Sequence, residues 1–171
     1  VFDYVNISGA SELNTSETIE GDKIKIICSG ASEGKLNLEY NSVVANSSGA
    51  SELKLSGTAT SYVGNASGAS ELKASDLITK TAVVKASGAR ECSVNASESL
   101  TYSTSGSSSV RYSEKPKTLV IQNKNNAEQV VVVAEGKNIS NYNRYSDTTN
   151  VKVGRLNVEV IESDTTKVVV G

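Results

Sequence analysis

Apolar and polar residues alternate through residues 1–113, and the alternation restarts around each Ser-Gly pair. Four residues before the Gly of those pairs stand Val5, Ile26, Ala45, Gly64, Val84 and Tyr102; two before it stand Ile7, Cys28, Ser47, Ala66, Ala86 and Thr104. Four after it stand Leu13, Gly34, Leu53, Leu72, Cys92 and Val110; six after it stand Thr15, Leu36, Leu55, Ala74, Val94 and Tyr112. The positions between are mostly Asn, Ser, Glu and Lys. A period of two on both sides of the pair predicts two half-buried strands per unit, joined at a corner. The Gly sits where the backbone needs a positive φ or a close approach.

The corner is a repeat. Ser8-Gly9-Ala10-Ser11-Glu12-Leu13 returns at Ser29, Ser48 and Ser67, and in degraded form at Ser87 and Ser105. The steps from Gly to Gly are 21, 19, 19, 20 and 18 residues. Helical repeats need about 33 or more residues per unit. Leucine-rich repeats need a dense Leu framework that is absent here. A β-solenoid remains, its coils stacked about 4.8 Å apart. A hexapeptide solenoid would hold a period of 18, and the variable step predicts a right-handed parallel β-helix of about six or seven coils. Cys28 and Cys92 then lie three coils apart, roughly 14 Å along the axis. A disulfide needs Cα atoms within about 7 Å, so both are expected as buried free thiols.

Residues 1–115 read as the β-helix repeats and 116–171 as a terminal coil, capping strands and a linker to further chain. Lys115-Pro116-Lys117 holds the single Pro and breaks the rhythm. Leu119-Val120-Ile121 and Val130–Val133 flank the turn signal Asn123-Lys124-Asn125-Asn126. Asp147–Gly154 is echoed by Asp164–Gly171, which predicts two or three more strands. The chain opens on Val1 without a signal segment and closes inside an apolar run, the pattern of a trimmed fragment.

Composition narrows the chemistry. Ser, Val, Asn and Thr dominate, and there is no Trp, no Met and no His. The absence of His removes Ser-His-Asp and Cys-His nucleophiles and His metal sites. Seventeen basic and 19 acidic residues leave a net charge of −2, so nucleic acid is not an expected partner. No apolar run has the length of a membrane-spanning helix, so direct insertion of this segment is not expected. No cofactor, metal or catalytic residue is assigned.

Three features could bind a ligand. Glu12, Glu33, Glu52, Glu71 and Glu91 share one repeat position, which stacks like charges about 5 Å apart at a cost of about 1 kcal/mol per neighbour even in water. A parallel column holds Lys35, Lys54, Lys73 and Arg111, so a solvated Glu/Lys ladder is the plain reading; a divalent cation held between carboxylates is the sharper one. The Ser columns at the corner, including Ser51 and Ser70, either form a hydroxyl array for an ordered surface or bond the turn backbone. Tyr142 and Tyr145 with Arg144 lie in a polar stretch suited to a sugar, and Tyr40 and Tyr62 lie near corners. Glu52, Glu71, Ser51, Ser70, Tyr142, Arg144 and Tyr145 are therefore the candidate binding residues. Carbohydrate-active β-helix enzymes cluster Asp on one face; here five Asp are scattered, so an enzyme is the least favoured function.

The repeated Ser-Gly-Ala-Ser-Glu-Leu with its Lys/Leu strand, at Ser48–Leu55 and Ser67–Ala74, resembles the putative auto-transporter adhesin, head GIN domain family. The resemblance covers residues 1 to about 113. It implies a right-handed β-helix, export to the periplasm, outer membrane or cell surface of Bacteroidetes, and no established catalytic residues. The expected function is a non-enzymatic surface module, adhesin-like or a scaffold. The alternative is a glycan-binding module. The candidate ligands are a polysaccharide or an extracellular protein.

Overall fold

The computed structural model describes residues 1–88 and 91–123, and beyond them the backbone alone of the strands at 129–134, 150–153, 156–159 and 166–170. Among the described residues every regular element is a strand. These are β1 (Tyr4–Ile7), β2 (Glu12–Cys28), β3 (Glu33–Ser47), β4 (Glu52–Ala66), β5 (Glu71–Gly88), β6 (Glu91–Gly106), β7 (Ser109–Tyr112), β8 (Thr118–Asn123), β9 (Gln129–Ala134), β10 (Asn150–Val153), β11 (Leu156–Glu159) and β12 (Thr166–Val170). Strands β1 to β6 stack in sequence order, each parallel to the next, as a β-solenoid of about six turns. Both β7 and β8 pair parallel with β6, so the ladder continues across Pro116. Then β9 returns antiparallel on β8, β12 joins β9, and β10 with β11 forms a separate antiparallel pair.

Each long strand is made of straight runs joined by bends, with one more bend in β5 at Ser75-Asp76 than in β3. In β3, Gly34, Leu36, Leu38 and Tyr40 point inward; Asn41 and Ser42 both stay outside; then Val43, Ala45 and Ser47 point inward. Two consecutive outward residues shift the alternation by one and turn the chain around the core. The same slip recurs in β4 between Ala59 and Tyr62 and in β5 between Thr79 and Ala82. The expected columns fill the interior: Ile26, Cys28, Ala45, Leu53, Leu55, Ala74 and Val94 are fully buried. End-coil members such as Leu13 and Val110 are only partly covered.

The bend between successive long strands is the Ser-Gly-Ala-Ser corner. Its glycines take φ from +72° at Gly106 to +118° at Gly88, a region that excludes most side chains. Corners stack as tightly as strands: Ser48 N–H donates to Cys28 O at 2.9 Å, Ala50 N–H to Gly30 O at 2.8 Å and Glu52 N–H to Ser32 O at 3.0 Å. A Cβ on Gly30 would lie 2.6 Å from the Gly9 carbonyl oxygen, so stacking itself demands Gly there.

Candidate functional site

The glutamate column forms as expected. Glu12, Glu33, Glu52 and Glu71 are in register on successive coils. Lys73 resolves the repulsion by lying between two of them, 2.8 Å from Glu52 and 3.3 Å from Glu71. Lys35 pairs with Glu33 at 2.6 Å and Arg111 with Glu91 at 3.0 Å, while Lys54 turns to Asp76 at 3.2 Å. The hydrogen bond that Lys35 donates to Glu33 holds its ammonium above its ordinary pKa, and the bond that Lys73 donates to Glu52 does the same there. The Lys35, Glu33, Lys73 and Glu52 side chains are about 40% exposed, so solvent screens these pairs and they add little to stability. The face is a solvated ladder of alternating sign. Among the described residues no group of three or more His, Cys, Asp or Glu is arranged to hold a metal ion.

The serine array is not a surface. Ser51 and Ser70, read as hydroxyls that could face a ligand, are each only 2% exposed. Ser51 donates to the Ser48 carbonyl at 2.8 Å, with the Cys28 carbonyl at 3.2 Å. Ser70 donates to the Ser67 carbonyl at 2.8 Å, with the Ser47 carbonyl at 3.0 Å. Ser32 and Ser108 repeat this bond, and Ser11 repeats it in the open at the first corner. The hydroxyls of Ser32, Ser51, Ser70 and Ser108 tie each corner to itself and to the coil beneath, which is the turn-bonding reading of the column.

Tyr40 and Tyr62 are likewise interior, not sugar platforms. Tyr40 packs over Gly21 of the preceding coil and donates its hydroxyl to Phe2 O at 2.8 Å. Tyr62 fills the space opened by Gly64, and its hydroxyl is buried without a hydrogen-bond partner. Burial drives its pKa far upward. Tyr142, Arg144 and Tyr145 lie outside the described residues. Cys28 and Cys92 are free and buried, as the spacing requires. Cys28 Sγ lies 3.2 Å from Ser32 Oγ, and burial pushes the Cys92 thiol up to about 11.

The outward residues of the opposite run form a second face that the repeat alignment passed over. Ser42, Ser61, Thr81, Ser99 and Thr118 make one row in register. Val44, Val63, Val83, Thr101 and Val120 make the next, and Asn46, Asn65, Lys85, Ser103 and Gln122 the third. The signal that could have found it is the doublets Val43-Val44 and Val83-Val84, where an outward position is apolar although a polar one is expected.

A parallel solenoid that displays the same side chains coil after coil is a repeat-surface protein, a class that works through extended faces. No helix among the described residues is long and apolar enough to cross a membrane. Residues 1–116 match the family described as "Putative auto-transporter adhesin, head GIN domain", and the chain belongs to that family. A similar solved structure is that of a putative adhesin from Bacteroides fragilis, with a TM-score of 0.68 and 20% sequence identity over 71% of this chain. The match spans 56% of that protein, and it shows the shared fold. No curated protein matches the chain.

Proposed function

We propose that this domain is a non-enzymatic, adhesin-like recognition module, exported and displayed at the cell envelope or surface. The observation that carries the reading is the pair of outer faces whose rows repeat from coil to coil in register. Such rows suit an extended or periodic ligand, because each coil adds the same weak contact and the contacts sum. Membership of an adhesin family supports the same conclusion. Glu52 and Glu71 lie on the charged face, paired with Lys73. Ser51 and Ser70 act within the fold.

The test is a binding screen of the purified domain against immobilised polysaccharides and extracellular matrix proteins, with and without Ca²⁺. Saturable binding to any of them supports the module. Folded protein that binds none supports a structural spacer instead.

A further inference from the structure

We propose that the face centred on Val44, Val63 and Val83 binds a neutral polysaccharide chain; this rests on the reading of the domain as a surface recognition module. The chemistry of the two faces differs. The Glu/Lys face pairs charges on every coil from Glu33 to Lys73. On the other face the three rows run from β2 to β8; Lys23 and Lys25 stand at the β2 end in register with Ser42 and Val44, and from β3 to β8 Lys85 is the single charged side chain. Solvated surfaces of soluble domains usually carry about a quarter to a third charged residues, so solubility does not account for this face.

The order of the rows is what a sugar ring requires. Val63 and its neighbours form an apolar row one residue wide, and Val83 is 37% exposed although it is a large hydrophobic side chain. The hydroxyl row runs along one side and the amide row along the other, each about 6.6 Å from the centre. A pyranose ring presents an apolar C–H face and a rim of hydroxyls, so a ring lying on the valines turns its rim toward both flanking rows. The amide row has bonding capacity to give. Asn65 donates from Nδ2 to Asn46 Oδ1 at 2.9 Å. That bond uses one donor hydrogen of Asn65 and orients the pair, while each amide has two donor hydrogens and an acceptor oxygen.

Size favours a thin polymer over a second copy of the chain. Five coils span about 19 Å and the three rows about 13 Å, a face of roughly 250 Å². A stable protein dimer buries about 800 Å² per partner around a broad apolar core. Charge at the valines favours a neutral polymer: the three rows carry no carboxylate, and their lysines are divided between the β2 end (Lys23 and Lys25) and Lys85, so no cluster of cations stands beside Val63 to recruit an acidic one.

The experiment compares soluble neutral polysaccharides (laminarin, xyloglucan and dextran) with anionic polygalacturonate and with matrix proteins. Binding is measured by affinity electrophoresis and calorimetry, on the full chain and on Val63→Lys, Asn65→Ala and Glu52→Gln. Circular dichroism checks that each variant folds. The expected result is binding to a neutral polysaccharide, weakened tenfold or more by Val63→Lys and severalfold by Asn65→Ala, and unchanged by Glu52→Gln. Loss with Glu52→Gln alone would move the site to the charged face and overturn the inference. Binding confined to polygalacturonate or to a protein would overturn it and leave the recognition module standing. Binding to nothing would overturn both. Self-association that Val63→Lys abolishes, without glycan binding, would make the face a contact between copies and also overturn it.

Discussion

The substitution Ser51→Ala separates a structural serine column from a ligand-facing one. The Ser51 hydroxyl is buried and donates at 2.8 Å to Ser48 O, with Cys28 O at 3.2 Å and Ser47 Oγ at 3.0 Å. Ala removes one oxygen and opens almost no cavity, so the loss is that of the hydrogen bonds. A buried polar group left without its partner costs about 1–3 kcal/mol. Cys28 O keeps the N–H of Ser48 at 2.9 Å, which places the expected loss at the lower end, about 1–2 kcal/mol. Ser11 makes the same bond at 2.7 Å in the exposed first corner, where water replaces the hydroxyl. Ser11→Ala therefore costs less than about 0.5 kcal/mol. With a urea m-value of about 2 kcal/mol per molar, the Ser51→Ala midpoint falls by roughly 0.5–1 M and the Ser11→Ala midpoint barely moves. Equal midpoints for the two variants would refute the reasoning, as would an unshifted Ser51→Ala protein that has lost ligand binding.

Gly9 and Gly30 share a φ near +80°, but a Cβ on Gly9 meets nothing within 4 Å while one on Gly30 lies 2.6 Å from Gly9 O. Gly9→Ala is expected to cost about 1–2 kcal/mol for the backbone alone, and Gly30→Ala distinctly more; similar thermal shifts for both would refute tight corner stacking. Tyr62→Phe removes a buried hydroxyl that has no partner and is expected to stabilise by about 1 kcal/mol, raising Tm by about 2–4 °C; a lower Tm would show that the hydroxyl is bonded. The Cys92 thiol, raised by burial from 9.0 to about 11, keeps its proton in the folded state while the unfolded thiol loses it. Stability is then intact below pH 9 and falls as pH rises through about 11, by up to about 3 kcal/mol. Denaturation midpoints between pH 8 and 11 should lose this slope in Cys92→Ala, and a slope that persists unchanged would place it elsewhere.

The repeat made most of the architecture legible. Gly30, Gly49 and Gly68 mark corners because side chains rarely take that φ and a second backbone lies against the Cβ position. Leu53, Leu72 and Val94 were readable as interior because alternation fixes a strand's buried side. The pairing of Glu52 and Glu71 with Lys73 followed from like charges stacked one coil apart. For Ser51 the sequence offered corner bonding beside a ligand-facing hydroxyl, and for Tyr62 it placed the ring only near a corner. Both types bond water or ligand as readily as backbone, and only the corner and the gap beside Gly64 turn them inward.

The sequence alone thus determined that the chain coils, where its corners fall and which columns form the core, since each depends on local backbone conformation and a period of two. The tertiary structure alone decided what each outer face displays. The steps between coils vary, with bulges at Lys54/Ser56 and Ala74/Ile78, so the hydrogen-bond ladder decides which residues of the charged run meet, while Val44, Val63 and Val83 each stand five residues before a corner Gly. The bend at Asn41-Ser42 then turns that row away from the charged face, because two successive outward residues reverse the alternation only once the strand wraps a core.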